Sequence, residues 1–235
     1  MEINFSSYDF VLFDVDGTIA ETEALGHLPA FNESFKCYSI PWEWDAKLYK
    51  ELLKISGGLE RMKSFREGLI RNGSNPSSLP DDSTLKKIHS TKNTIYAKLL
   101  DEDKVKTRPG LISFINSLVK NGKHWGVVTT TSQSNWNGLW SSLLIKQVNS
   151  APIVVICGED VIAKKPDPQA YQLAIHKLNT HPKACIAVED SNNGVLAAWR
   201  AEVDVLAVRS QFFADEDFSF AKVVVDEFTE LTLNF

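Results

Sequence analysis

Two aspartates, Asp14 and Asp16, stand at the end of the apolar run 10–13, and Gly17 follows them. Two carboxylates held close together and away from water repel each other and resist ionisation unless a cation or a proton lies between them. Carboxylate and carbonyl oxygens are ligands that suit Mg²⁺. The alternative is a simple acidic turn, because Asp-Gly is common in turns. The pair alone leaves both interpretations open.

Side chains of a matching chemistry follow other apolar runs of the sequence. Three threonines, 129–131, follow one such run, Lys165 follows another, and Glu189 and Asp190 follow a third. In an open parallel sheet, ligands bind outside the carboxyl ends of the strands. We therefore expect these side chains to meet the aspartate pair at one edge of a sheet.

Together these side chains suit phosphoryl transfer, which needs an in-line nucleophile, a cation that spans the phosphate oxygens, and donors to those oxygens. A carboxylate can be the nucleophile and form an aspartyl-phosphate. Mg²⁺ lowers the repulsion between a carboxylate and a phosphate. Lysine and hydroxyl groups can hold the phosphoryl group, and a second carboxylate can protonate the departing oxygen. The residues favour an enzyme over an acidic turn.

Short apolar runs alternate with helical patterns along most of the chain, which predicts a parallel sheet covered by helices on both faces. We expect an α/β fold with a Rossmann-like three-layer core. The run 10–13 belongs to this sheet, because the region that follows it has no strand pattern to pair with. The predicted strands are 10–13, 125–129, 153–157, 184–188, 203–208 and 223–225, and the predicted helices are 109–120, a helix after Ser132, 167–178 and 195–201.

The segment between the first and second predicted strands has a different pattern. Apolar residues such as Trp42, Trp44 and Leu48 recur at helical spacing, and the polar stretch 71–78 interrupts them. This pattern predicts an inserted all-helical cap domain. The predicted domains are 1–18 with 105–235 for the core and 19–104 for the cap.

The ordered motifs resemble a known family. Asp14-Val15-Asp16-Gly17-Thr18, a strand-end threonine, Lys165-Pro166 and Glu189-Asp190 are similar to the four motifs of the haloacid dehalogenase-like (HAD) phosphohydrolase superfamily, and the resemblance covers essentially the whole chain. It implies a HAD-like core in which Asp14 is the nucleophile and Asp16 the general acid/base.

The same resemblance implies the remaining roles. Thr130, chosen over its two threonine neighbours by alignment, donates to the transferring phosphoryl group, and Lys165 balances the charge of that group. The implied cofactor is Mg²⁺, and its implied ligands are Asp14, Asp190, the Asp16 carbonyl and, in support, Glu189. True dehalogenases lack the second aspartate, so Asp16 argues for phosphate substrates.

A narrower resemblance points to the CbbY branch, whose characterised members are phosphatases acting on xylulose 1,5-bisphosphate. In two positions the chain departs from the branch: Leu28 stands where a basic residue is usual, and Leu59 stands where a lysine is usual. The implied partner is a small phosphorylated sugar, with a second phosphate left open. The segments that carry the resemblance are 20–23, 26–27, 30–32, 42–44, 52–58 and 60–62.

Four residues are predicted to bind substrate: Glu21, His27, Arg61 and Thr131. Three of them have a plainer interpretation. Glu21 could merely solvate the linker, and His27 could be a surface or core histidine. Arg61, after a Gly-Gly bend, could be a surface charge instead of a phosphate clamp.

Composition and charge exclude other classes of protein. The formal net charge of -5 gives no excess of positive charge with which to bind nucleic acid. The three cysteines form no metal-ligand pattern and no even disulfide framework, which fits a reducing compartment. The N-terminal residues lack the pattern of a secretory signal, and no apolar segment is long enough to span a bilayer. We expect a cytoplasmic monomer with no nucleic-acid or membrane partner.

Two alternatives stay open at this point. A phosphosugar mutase of the β-phosphoglucomutase type would use the same core and cap but return the phosphoryl group to the sugar. A non-enzymatic receiver domain also combines an aspartate cluster with Mg²⁺, threonine and lysine. The helical insert and the length of the chain, roughly twice that of a receiver, argue against the second alternative.

Overall fold

The computed structural model describes residues 1–102 and 104–235, which divide into two compact units. The core unit is Met1–Glu21 with Lys106–Phe235, and the helical unit is Thr22–Val105. The first junction lies three residues after its predicted position, and the second lies one residue after its own predicted position. Asp103, inside the range predicted for the cap, lies outside the described residues.

The strands of the described residues all lie in the core unit. Six of them form one sheet in the order β4-β3-β2-β5-β6-β7, and every neighbouring pair is parallel. The other two, β1 and β8, pair in parallel in a small separate sheet. The strands are β1 (Glu2–Asn4), β2 (Phe10–Phe13), β3 (His124–Val128), β4 (Val155–Ile156), β5 (Cys185–Glu189), β6 (Asp204–Val208), β7 (Val223–Val225) and β8 (Thr232–Asn234).

Eight α-helices complete the described fold, four in each unit. Those of the helical unit are α1 (Leu28–Cys37), α2 (Ala46–Leu52), α3 (Gly58–Arg71) and α4 (Asp82–Asp101). Those of the core unit are α5 (Leu111–Lys120), α6 (Gln133–Leu139), α7 (Gln169–Lys177) and α8 (Asn192–Arg200). Two π-helical turns, Glu23–His27 and Trp140–Leu144, adjoin α1 and α6.

The sheet is buried on both faces. Successive side chains of a strand point to opposite faces, so each strand contributes to both apolar layers. On one face, Leu12 of β2 joins an apolar cluster that includes residues of α7 and α8. On the other face, Phe13 packs edge-on against Phe114 of α5 and against Trp125 of β3. This is the predicted three-layer α/β core, and the fold-class prediction is confirmed.

Some elements differ from those predicted. The strands β1 and β8 were not expected, because each has three residues and its partner lies at the other end of the chain. Strand β4 has two residues where five were predicted. Helix α8 begins three residues earlier than predicted, at Asn192, because the Ser191 side chain caps it by accepting the Gly194 N–H at 3.3 Å.

The helical unit is organised around aromatic side chains. The ring centroid of Phe35 lies 5.4 Å from that of Trp42 and 4.9 Å from that of Trp44, and both indoles are buried. Aspartates cap two of its helices: Asp45 accepts the Leu48 N–H, and Asp81 accepts the Thr84 N–H. Within the described residues, no helix combines the length and the apolar character needed to cross a membrane.

Candidate active site

Asp14 leaves the central strand β2 and is held by the next strand. Its main-chain N–H donates to the Val188 carbonyl at 2.9 Å, which continues the pairing of β2 with β5. The side chain is buried, whereas Asp16, two residues later, is half-buried. Gly17 follows with φ of +87°, a conformation that favours glycine. The two carboxylates therefore leave β2 in different environments.

Lys165 reaches Asp14 from the loop after β4. Its Nζ donates to Asp14 Oδ1 at 2.6 Å and to the Val128 carbonyl at 2.8 Å, and it lies 2.6 Å from Glu189 Oε1. Burial disfavours the charged ammonium, but the two facing carboxylates outweigh burial and raise the pKa of Lys165. Lys165 is therefore a buried cation that links the loop after β4 to the carboxyl ends of β2, β3 and β5.

Three buried carboxylates meet beside this cation. Asp14, Glu189 and Asp190 each offer an oxygen, and these atoms lie within 4.8 Å of one another. Burial raises the pKa of Asp14 to about 7, with Lys165 opposing the rise and Glu189 and Asp16 adding to it. Burial also raises the pKa of Asp190 and of Glu189. One lysine thus faces three carboxyl groups whose ionisation is disfavoured by burial.

This cluster fits a divalent cation. Within residues 1–102 and 104–235, Glu189 Oε2 and Asp190 Oδ2 are buried and accept no hydrogen bond. A buried carboxylate oxygen without a donor is costly, and a cation would relieve that cost. The donors are all oxygens, as Mg²⁺ prefers. The Asp16 side chain is outside this group of three, which is compatible with the predicted role of its carbonyl.

The three threonines after β3 have different surroundings. Thr129 Oγ1 accepts the Thr131 N–H at 3.1 Å, and Thr131 Oγ1 accepts a hydrogen bond from Asn135 at 3.2 Å. Both side chains are buried, whereas Thr130 is half-exposed, and no hydrogen bond to its hydroxyl is found within the described part of the chain. These contacts favour Thr130 as the donor to a ligand.

Glu21, predicted to bind substrate, has protein partners in the core unit. Its Oε1 accepts the Gln211 N–H at 3.1 Å and lies 3.2 Å from the guanidinium of Arg108. Arg108 is buried and also donates to the Gly17 carbonyl at 2.6 Å. Glu21 is thus tied to the loop after β2, and its substrate contact stays a prediction.

His27 and Arg61, the two predicted substrate contacts of the helical unit, are both buried, so neither is a surface residue. His27 Nδ1 lies 2.7 Å from the Nζ of Lys92, and that ammonium sits 5.0 Å from the ring centroids of both Phe31 and Tyr96. Because an ammonium can only donate, Nδ1 is the acceptor in this contact. His27 is therefore held by a lysine of its own unit.

Arg61 is engaged by its own unit. Its guanidinium donates to the Leu52 carbonyl at 3.2 Å and to the Tyr49 hydroxyl at 3.0 Å, and Tyr49 donates to Glu23 at 2.5 Å. These contacts favour a role in holding α2 against α3, and a phosphate clamp stays a prediction. Neither Glu23 nor Lys92 was predicted as a site residue. Glu23 stands four residues before His27, a helical spacing that could have pointed to it.

Two further residues of the core site were not predicted from the sequence. Ser210 follows β6 and hydrogen-bonds the Asp190 carboxyl group, and the strand-end rule used for β2, β3 and β5 would have found it. Tyr171 in α7 donates its hydroxyl proton to Glu189 Oε1. Its sequence pattern is that of an ordinary buried helix residue, so no local signal identified it.

Comparisons with known proteins agree with this geometry. The sequence model of the haloacid dehalogenase-like hydrolase family matches residues 11–208. Protein CbbY of Rhodobacter capsulatus is 35% identical over 211 residues, which cover 90% of this chain and 89% of that protein. Protein CbbY of Cereibacter sphaeroides is 36% identical over 221 residues, which cover 94% of this chain and 93% of that protein. A crystal structure of a CbbY mutant from Rhodobacter sphaeroides in complex with xylulose-(1,5)-bisphosphate has a TM-score of 0.85 at 33% identity, covering 96% of this chain and 97% of that one.

Proposed function

The chain belongs to the haloacid dehalogenase-like hydrolase family and is a CbbY-like phosphatase, a phosphoric monoester hydrolase, and we propose that it hydrolyses a small sugar phosphate through an aspartyl-phosphate. The observation that carries this proposal is the contact of Asp14 with Lys165 in a buried cluster of three carboxylates. A receiver domain, the non-enzymatic alternative, has no support from these relatives.

In the first proposed step, a carboxylate oxygen of Asp14 attacks phosphorus as the bond from phosphorus to the sugar oxygen breaks. Asp16 gives its proton to the departing sugar oxygen. In the second step, Asp16 takes a proton from water, whose oxygen attacks phosphorus and releases inorganic phosphate and free Asp14. Lys165 and Thr130 hold the equatorial oxygens in both steps.

We propose Mg²⁺ as the cofactor, held by Asp14, Asp190, Glu189 and the Asp16 carbonyl. When bound, Mg²⁺ lowers the repulsion between the carboxylate and the phosphate. The buried oxygens of Glu189 and Asp190 that accept no hydrogen bond within the described residues support this assignment. We also propose a cytoplasmic monomer.

The proposed substrate class is a sugar phosphate, with xylulose 1,5-bisphosphate as the first candidate because a similar structure holds that molecule. Glu21, His27, Arg61 and Thr131 are the proposed substrate contacts. Leu28 and Leu59 are half-buried apolar residues where the branch usually has cations, which weakens the case for a second, distal phosphate.

A panel of sugar mono- and bisphosphates tests this function. We expect Mg²⁺-dependent release of phosphate from at least one sugar phosphate and none from a matched Asp14→Asn variant. Product analysis separates the phosphatase from the mutase, because a mutase yields an isomeric sugar phosphate in place of inorganic phosphate. Substantial Mg²⁺-dependent activity in Asp14→Asn would contradict the nucleophile assignment.

A further inference from the structure

Tyr171 connects helix α7 to the carboxylate cluster. The residue is fully buried, and its hydroxyl donates to Glu189 Oε1. Lys165 Nζ contacts the same oxygen at 2.6 Å and lies 5.4 Å from the centroid of the Tyr171 ring. One tyrosine therefore contacts both the lysine and the carboxylate of the site.

This arrangement makes the two oxygens of Glu189 different. Oε1 receives both the tyrosine hydroxyl and the lysine ammonium, whereas Oε2 accepts no hydrogen bond from any described residue. The carboxylate is held by one oxygen and leaves the other as a ligand atom. Groups that hold metal ligands in this way orient them and raise metal affinity.

We propose that Tyr171 is a positioning residue that orients Glu189 toward a bound divalent cation. The inference rests on the proposed function, because it takes Glu189 as a metal ligand. In this proposal Tyr171 acts only through Glu189 and is not a catalytic residue.

The competing explanation is that Tyr171 only fills the core and satisfies its hydroxyl. A buried tyrosine needs a hydrogen-bond partner wherever it lies. The chain contains a natural comparison: Tyr8 donates to Asp204 Oδ2 at 2.9 Å, and Lys222 lies 2.6 Å from that oxygen and 5.9 Å from the tyrosine ring. Asp204 begins β6, at the opposite end of the sheet from the site.

The experiment compares Tyr171→Phe with Tyr8→Phe, which removes a hydroxyl from the same kind of tyrosine, carboxylate and lysine group. Mg²⁺ binding to each purified protein is measured by titration calorimetry without substrate. We expect the Kd for Mg²⁺ to rise about 10- to 100-fold in Tyr171→Phe. In Tyr8→Phe it should stay within about twofold of wild type, in line with the small effects of remote changes.

Two further measurements keep the test decisive. Excess Mg²⁺ should restore most of the kcat of Tyr171→Phe, because its defect is in metal binding. In a Glu189→Gln background, adding Tyr171→Phe should produce no further loss of Mg²⁺ affinity. This comparison is between Glu189→Gln and the double variant, and it does not use Tyr171→Phe alone.

Equal Kd values for wild type and Tyr171→Phe would overturn the proposal, as would the same loss in the Glu189→Gln background. The calorimetric result does not depend on turnover. If the protein binds Mg²⁺ but releases no phosphate from any sugar phosphate, the proposed function fails while the role of Tyr171 is still measured.

Discussion

The balance of charge around single residues governs the chemistry of Asp14. Burial raises its pKa to about 7, and Lys165 opposes that rise. At neutral pH a carboxyl group with such a pKa is only partly ionised, and only the ionised form is a nucleophile. A cation bound to Asp14 would therefore increase its reactive fraction.

The first prediction concerns Asp16, which we assign as general acid and base. Asp16→Asn should lower kcat for a sugar phosphate by about 10²- to 10⁴-fold, because the leaving oxygen receives no proton. With p-nitrophenyl phosphate, whose leaving group needs no proton, the first step should be nearly unaffected and the second slow. Rapid-quench kinetics should then show a burst of p-nitrophenol. Equal slowing of the first step for both substrates would contradict the assignment.

The second prediction separates the three threonines. Thr130→Val should lower kcat/KM by about 10²- to 10³-fold with little change in stability, because its hydroxyl is assigned to the phosphoryl group. Thr129→Val is the matched control: it should cost about 1–3 kcal/mol of stability, because the buried Thr131 N–H loses its acceptor. Steady-state kinetics and urea unfolding measure both. A larger loss of activity in Thr131→Val than in Thr130→Val would move the assignment to Thr131.

At the scale of elements, the site depends on how closely the strand ends approach each other. A Cβ added to Gly17 would lie 1.9 Å from Asp190 Oδ2, and one added to Gly194 would lie 1.8 Å from Glu189 Oε2. The loop after β2 and the first turn of α8 therefore pack directly on the carboxylates. Glycine is required at both positions because no side chain fits there.

The third prediction tests this packing. Gly194→Ala should cost about 1–3 kcal/mol of stability and weaken Mg²⁺ binding, because the new methyl group displaces the Glu189 carboxylate. Gly68→Ala in α3 is the control, since nothing lies within 4 Å of its added Cβ. That variant should be stabilised by about 0.5–1 kcal/mol through helix propensity. Urea unfolding and Mg²⁺ titration measure both. Wild-type Mg²⁺ affinity in Gly194→Ala would contradict the proposed packing.

At the scale of the whole molecule, the buried carboxylates couple stability to pH and to metal. The pKa of Asp14 rises from 3.8 to about 7 on folding, and those of Glu189 and Asp190 also rise. Between about pH 4 and 7 the folded state therefore binds more protons than the unfolded state. Stability contributed by these groups falls as pH rises through that window.

The fourth prediction follows from this sign. In the presence of EDTA, the Tm should fall by several degrees between pH 5 and pH 8, since a loss of 1 kcal/mol lowers Tm by about 2–4 °C in a chain of this size. Mg²⁺ should raise the Tm more at pH 8 than at pH 5, because it competes with protons for the same oxygens. Asp14→Asn should flatten the profile. A Tm that rises from pH 5 to pH 8 without metal would contradict the raised pKa values.

The sequence by itself determined the fold class, the family and the side chains that follow four of the strands. Apolar runs indicate burial, and their alternation with helical patterns indicates a parallel sheet. These signals are local, since they depend on residues a few positions apart. For the same reason Asp14, Lys165 and Asp190 could be selected before their contacts were known.

Only the tertiary structure decided which partners these residues have. The pairing of β1 with β8, the donation from Tyr171 to Glu189 and the burial of Arg61 inside its own unit each join residues that no local pattern relates. Hydrogen-bond partners and burial depend on how distant segments pack, and that packing sets the cost of each buried charge. The sequence thus identified the pair of aspartates that we propose to bind metal and phosphate, and the folded chain determined which groups contact them.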